Sequence, residues 1–378
     1  MRIAVPAETD ANEARVAATP ETVKKYIGLG AEVVVQSGAG IGSGITDAEF
    51  EKAGARIAAD AATTVAGADV VLAVRRPEPA ALAGVNSNAA VIAVMDPYGQ
   101  KEALQALAQA NVQAFAMELM PRITRAQTMD VLSSQANLAG YRAVIEGAAE
   151  FGRAIPMMMT AAGTVPAAKI FIMGVGVAGL QAIATARRLG AIVTATDVRP
   201  VTKEQVESLG AKFLAVEDEE FKQAQTEGGY AKEMSKEYQA KQAALTAAHI
   251  AKQDIVVTTA LIPGRPAPRL ISADMVASMR PGSVIVDLAV ERGGNCELSK
   301  PGKVVTTKNH VKVVGWLNMP GRLAATASQL YAKNLFAFLE TMIDKDTKSL
   351  KIDGDDELVK ATRLTFGGVV VHPGFVAT

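Results

Sequence analysis

The sequence predicts an α/β protein built from two Rossmann-like, doubly wound parallel-sheet domains with a cleft between them. Three observations carry this. Residues 169–197 read as an apolar run, a glycine turn, an apolar-periodic helix, a second apolar run and an acid, which is the order of a mononucleotide-binding βαβ unit. Residues 1 to about 115 alternate short apolar runs with helical patterns, the signature of a second parallel sheet. A chain of 378 residues is also long enough for two domains, each with an ample core.

Each residue of the glycine turn Gly174-Val175-Gly176-Val177-Ala178-Gly179 has a physical task. Gly174 allows the tight turn. Gly176 lets backbone approach a pyrophosphate, because a Cβ there would collide with it. Gly179 lets helix and strand pack closely. The helix N-terminus offers unpaired N–H groups and partial positive charge to phosphates. Asp197 stands close to the expected offset of about 20 residues and can accept from a ribose 2′-OH. A carboxylate there repels a 2′-phosphate by about 1 to 4 kcal/mol per charge pair at about 4 Å. The turn therefore predicts binding of NAD(H) in preference to NADP(H). Arg199 is the neighbour that can tolerate a 2′-phosphate.

Composition excludes several classes. Lys plus Arg and Asp plus Glu number 39 each, so the formal net charge is zero and no basic run points to nucleic acid. The single Cys296 excludes a disulfide framework and a cysteine metal cluster, and suggests a reducing compartment. No metal is expected. The start MRIAVPAE lacks a signal-peptide apolar core, and no apolar stretch free of charge or proline is long enough to span a bilayer. A cytoplasmic protein without direct membrane insertion is expected.

In chain order, the first domain has expected strands at 3–5, 32–36, 70–74, 91–94 and 112–115 and helices at 22–29, 61–65 and 101–110. The glycine-rich stretch 38–44 follows no strand–turn–helix order and reads as a flexible loop. Residues 117–147 begin with Arg122, Arg125, Gln127, Asp130, Ser133, Ser134 and Gln135 among apolar residues. They end in an amphipathic helix with Leu138, Tyr141, Val144, Ile145 and Ala148 on one face. This segment is either an interdomain linker with Ser134 as N-cap, or a polar loop reaching across the cleft to the cofactor. Met157, Met158 and Met159 are expected to fill core gaps.

A third strand of the nucleotide sheet is expected at 212–216. Residues 217–250 form a polar helical excursion broken by Gly228-Gly229-Tyr230, a lid or a plain surface loop. Strands at 254–260 and 283–288 lead into loops at 261–264 and 290–294 that face the cofactor, and a last strand lies at 311–315. A helix at 329–343 returns to the first domain, followed by a charged stretch at 345–357 and an edge strand at 369–371. The expected domains are 1–134 plus 318–378, and 135–317.

Substrate oxidation at an alcohol or amine needs a general base. His249, His310 and His372 fall outside the expected cleft loops. Asp96-Pro97 and Arg75-Arg76-Pro77 follow strands, but arginine is no base. This inventory suggests chemistry without proton transfer, and hydride exchange between two nicotinamides fits it.

The opening MRIAVPAETDANEARVAATP, the stretch QSGAGIGSGI and the GVGVAG turn resemble the alanine dehydrogenase and nicotinamide nucleotide transhydrogenase superfamily nearly end to end. Within it, MELMPRITRAQTMDVLSSQANLAGYRAV and GGYAKEM resemble the NAD(H)-binding domain I of proton-translocating transhydrogenase. The resemblance implies that Arg122, Gln127, Asp130 and Ser133 lie on a loop that enters the nucleotide cleft. It implies that Gln127 steers the dihydronicotinamide toward NADP(H) held on a separate domain III. It also implies that Tyr230 closes over bound nucleotide and that Val177, Asp197, Val198, Arg199, Gly229 and Leu261 contact it. The lysine and histidine of the alanine dehydrogenase substrate site are absent, their places falling near Arg75 and Asp96, with the acid near Glu291. Arg15 and Asn318-Met319-Pro320 persist. The resemblance further implies a homodimer, attached at the cytoplasmic side of the inner membrane through domain III and a membrane domain II. Because the chain stops soon after the domain I homology, a separate α1 subunit is expected. The competing expectations are an alanine dehydrogenase-like oxidoreductase and a non-catalytic NAD(H) sensor.

Overall fold

The computed structural model describes residues 1–222 and 234–376; Gly229 and Tyr230 lie outside the described residues. The chain divides into two compact units, Met1–Gln135 with Pro320–Thr378, and Ala136–Met319. The division falls inside the helix Val131–Glu150.

The first unit holds a six-stranded parallel sheet in the order Arg56–Ala58, Glu32–Gln36, Arg2–Val5, Val70–Arg75, Ala90–Val94, Gln113–Ala116. Alternate residues of each strand point to opposite faces. Ile3, Val5, Val33, Val35, Leu72 and Ile92 join one core, while Ala4, Val71, Ala73, Val91 and Ala93 join another on the other face. A sheet covered on both sides explains why these strands read as unbroken apolar runs. Each fully buried large aliphatic contributes about 1.5 to 3 kcal/mol. The helix Pro20–Gly28 starts from a Thr19–Thr22 capping box with Pro20 in its first turn, two residues earlier than expected. The helix Ala324–Glu340 buries Tyr331, Leu335, Phe338 and Leu339 in the same core, which brings the chain end back to this unit.

The second unit holds seven strands in the order Lys212–Phe213, Ile192–Thr196, Lys169–Met173, Ile255–Thr258, Val284–Asp287, Lys312–Gly315, Lys303–Thr306. All pair in parallel except the edge strand Lys303–Thr306, which is antiparallel. Apart from that edge, both sheets follow the doubly wound order 3-2-1-4-5-6, with the switch point beside the first strand.

Four local expectations are corrected. Met157, Met158 and Met159 are 61%, 42% and 77% exposed, the last two being on the hairpin Met158–Thr160 with Gly163–Val165, so they fill no core. Ser134 is not an N-cap. The helix begins at Val131, and Asp130 accepts from Ser133 N at 2.9 Å, while Ser134 Oγ bonds Asn334 at 2.7 Å. The buried face of that helix is Ala139, Gly140, Ala143, Val144 and Gly147, with Tyr141 exposed. A Cβ on Gly140 would stand 2.0 Å from Ala178 O, so small residues set that face. The stretch 38–44 is a packed turn, because Ser43 is buried against Ala14 O, Ala324 O and Ser328, and a Cβ on Gly42 would stand 2.7 Å from Ala14 O. The helix Asp47–Lys52 and strand Arg56–Ala58 escaped the sequence reading because both are short.

Candidate nucleotide-binding site

At the switch point of the second unit, the strand Lys169–Met173 turns through Gly174 at φ +102°, a conformation that suits only glycine. A Cβ there would also meet Thr259 Oγ1 at 2.5 Å. Gly179 sits against the turn, where a Cβ would stand 1.9 Å from Gly174 O. Gly176 differs from both: its φ is −82° and nothing lies within 4 Å of a Cβ built on it. The space in front of Gly176 is therefore open. The helix Val177–Arg188 begins there with no side-chain cap, so its first-turn N–H groups are left for an anion. This combination fits a dinucleotide pyrophosphate.

Asp197 follows the next strand, Ile192–Thr196, and is held tightly. Its Oδ2 accepts from Val175 N at 2.7 Å and Arg199 Nη2 at 3.1 Å. Its Oδ1 accepts from Arg199 N and Nε, both at 2.9 Å. Four bonds fill the ordinary acceptor capacity of a carboxylate. The spacing predicts an Asp197 oxygen open to a ribose; the structure commits both oxygens, most of their bonds coming from Arg199. That neighbour also donates to Val175 O at 3.2 Å.

Exposed apolar side chains surround the turn's end of the sheet. Val177, Val198 and Leu261 are 40%, 50% and 53% exposed, with Ile262 beside them. Apolar walls with few polar groups are what a cofactor ring covers. Asn295, fully buried, fixes the Leu261 loop: it accepts from Ala260 N at 3.0 Å and donates to Ala260 O and Pro268 O at 2.9 and 2.8 Å. Gln242 on the helix Lys236–Ile250 accepts from Val216 N and donates to Thr196 Oγ1. Sequence reading missed both residues because single amides carry no spacing signal. His249 bonds Thr194 Oγ1 at 2.8 Å and packs edge-on to Phe171, a structural position. Burial holds its pKa below the usual value.

In the first unit, Ala126 and Met129 anchor the turn Thr124–Met129 in the core, and Asn334 donates to Thr128 O at 2.7 Å. Arg122 and Gln127 are exposed, with no side-chain partner among the described residues. Asp130 accepts from Ser133 N and, at 2.5 Å, from Ser133 Oγ. Arg125 is tied to Asp356 at 2.6 Å.

The switch point of the first unit is filled by its own chain. Glu8 accepts from Val74 N at 2.6 Å and Arg75 N at 3.3 Å. Arg15 forks onto Glu13 at 2.7 and 2.6 Å and donates to Gln135 at 2.8 Å, while Arg75 Nε reaches Glu13 at 2.8 Å. Burial pushes the Glu8 carboxyl up to about 7; the Val74 bond opposes it and the nearby Glu13 charge adds to it. Glu118, accepting from Met95 N and Asp96 N, is also raised by burial. Asp96 takes a left-handed backbone at φ +48°. Glu291 accepts from Asn318 N at 2.5 Å. Among the described residues no helix is long and apolar enough to cross a membrane, and no group of three or more metal-ligating side chains comes together.

The alanine dehydrogenase/PNT N-terminal domain family matches residues 4–139 and its C-terminal domain family matches residues 143–373. The chain belongs to the alanine dehydrogenase/PNT family. A Rhodospirillum rubrum protein named as an NAD(P) transhydrogenase subunit alpha is 57% identical over 378 residues, covering 99% of this chain and 98% of that protein. The alanine dehydrogenase of Halomonas elongata is 30% identical, covering 94% and 91%. Among solved structures, a transhydrogenase from Sinorhizobium meliloti is 62% identical with a TM-score of 0.89, covering 98% of this chain and 100% of that one. An L-alanine dehydrogenase is 25% identical with a TM-score of 0.82, covering 99% and 98%.

Proposed function

We propose that this chain is the NAD(H)-binding subunit of a proton-translocating NAD(P) transhydrogenase, passing hydride from NADH to NADP⁺ bound on a partner subunit. The observation that carries the reading is the likeness, over nearly both full lengths, to a protein named as a transhydrogenase alpha subunit. The residue inventory points the same way. Arg75 and Asp96 stand where the alanine dehydrogenase branch carries lysine and histidine, and Arg75 donates to Glu13.

In this reading, Gly174, Gly176 and the first turn of Val177–Arg188 hold the pyrophosphate. Val177, Val198 and Leu261 wall the rings. Asp197 and Arg199 share their bonds with the adenosine ribose, and Gly229 and Tyr230 close over the nucleotide. Gln127 and Asp130, with Ser133 bracing Asp130, orient the nicotinamide, and Arg122 holds the loop. NADH supplies the hydride; the protein's contribution is placement, within about 3 to 3.5 Å of the acceptor and shielded from water. The chain works as a homodimer on the cytoplasmic side of the inner membrane. It is held there by the NADP(H)-binding domain III and the membrane domain II, which couples hydride transfer to proton movement.

Mixing the protein with a folded, NADP(H)-binding domain III tests this. NADH-dependent reduction of an NADP⁺ analogue is expected; none with both proteins folded and loaded refutes it. An alanine- and NAD-dependent rate from the chain alone would favour the dehydrogenase reading, and NADH binding without turnover the sensor reading. Gln127→Asn should slow hydride transfer by about tenfold or more while changing the NADH Kd by no more than about threefold, because a placement defect acts on the transition state. Equal losses in both would make Gln127 a plain binding residue.

A further inference from the structure

We propose that the first unit carries a second small-molecule site, specific for an amphoteric molecule of α-amino-acid type, at the N-terminal end of its sheet. This is the end opposite the Glu8 network, since Val70, Ala90 and Gln113 begin their strands there. A cavity of about 640 Å³ opens at this end. It is lined by one acid, Asp69, and one cation, Arg363. Among the described residues neither has an oppositely charged side chain within ion-pair distance. Asp69 accepts only from Arg2 N and Asn86 Nδ2, at 2.8 Å each. Arg363 lies over the Phe366 ring at 4.9 Å from its centroid.

The second observation is independent of the charges. Gln113 is 7% exposed, lines the cavity, and has an Oε1 with no hydrogen-bond partner. Asn88 Oδ1, in the same wall, is orphaned as well. Gln113 Nε2 is already spent on Asn88 O at 3.1 Å. Native interiors rarely leave acceptors unpaired, because each carries its full desolvation cost. Two such acceptors beside a carboxylate ask for a donor-rich, positively charged head. The unpaired guanidinium asks for a carboxylate, which it can bind through two N–H groups. Leu350, Ile352 and Phe366 supply an apolar wall for a side chain. A free amino acid meets all three demands; a simple anion or a neutral sugar meets one.

The test titrates the full chain with the common L-amino acids one at a time, reading heat and unfolding temperature. At least one is expected to bind, and its C-terminal amide and its N-acetyl derivative should each bind about tenfold or more weaker, since each removes one charged end. Arg363→Gln should lose binding to a similar degree, while Gln113→Leu should weaken the ammonium end only, and NADH affinity should stay unchanged in both. The proposal is overturned if no amino acid binds by about 10 mM, or if both derivatives bind as well as the parent. If Arg363→Gln loses cooperative unfolding, the two derivatives on the unaltered chain decide the matter.

Discussion

The two sheets share one strand order and open a crevice at the same topological position, yet they treat it oppositely. In the second unit the loop leaving the first strand is a short glycine turn, and nothing stands before Gly176. In the first unit the corresponding loop runs from Val5 to the helix Pro20–Gly28 and sends Glu8, Glu13 and Arg15 into the crevice. Topology makes the crevice, and the first loop decides whether a ligand or the protein's own side chains occupy it. The general base missing from the sequence inventory is not replaced by an open polar site. The ionisable groups of the first unit's crevice are bonded to backbone and to one another.

Glycines in the same turn give the largest contrast. Gly179→Ala forces a Cβ to within 1.9 Å of Gly174 O, and should cost about 3 kcal/mol or more of stability. Gly176→Ala meets open space, so it should cost under about 1 kcal/mol while weakening NADH binding by about tenfold or more. Denaturant melts and NADH titrations of the two variants check this. Equal losses of stability would mean that the open space is not held for a ligand.

On the filled side, the Glu8 network should show in the pH dependence of stability. Its folded pKa of about 7 lies above the ordinary 4.5, so folding favours the protonated acid. The contribution is complete below about pH 4.5 and is lost as pH rises through about 7, amounting to about 3 kcal/mol. Glu8→Gln should flatten that part of the profile, leaving the variant less sensitive than the parent between about pH 5 and about pH 8. Glu118, shifted in the same direction, keeps its own slope. Parallel profiles would mean that Glu8 is charged in the folded protein.

A smaller effect separates charge from geometry at the open crevice. Asp197→Asn removes the anion that holds Arg199 by two guanidinium bonds. It should weaken NADH modestly and strengthen NADPH, narrowing the preference by about tenfold through release of Arg199 toward a 2′-phosphate. An unchanged ratio of the two affinities would place the preference elsewhere.

Much of this was legible in the sequence, for identifiable reasons. The strands Ile192–Thr196 and Val70–Arg75 are largely buried on both faces, so their apolar runs stand out. Gly174 and Gly179 announce their backbone demands because no other residue meets them. What stayed hidden depends on long-range packing. Nothing local marks Gly140 as the point where one helix backbone meets Ala178 O, nor Met159 as a hairpin residue exposed to solvent. Arg199 reads as a free cation in sequence, and only the tertiary structure turns it back on Asp197. Asn295 and Glu8 gain their roles from partners 35 and 66 residues away.

The central claim is direct hydride passage from NADH on this chain to NADP⁺ on its partner, with no exchange through a protein acid. NADH carrying deuterium at the transferable C4 position, mixed with this chain and a domain III loaded with NADP⁺, tests it in one product analysis. Full retention of the label in NADPH is the predicted result. Label lost to water, or unlabelled NADPH formed at the same rate, would contradict it.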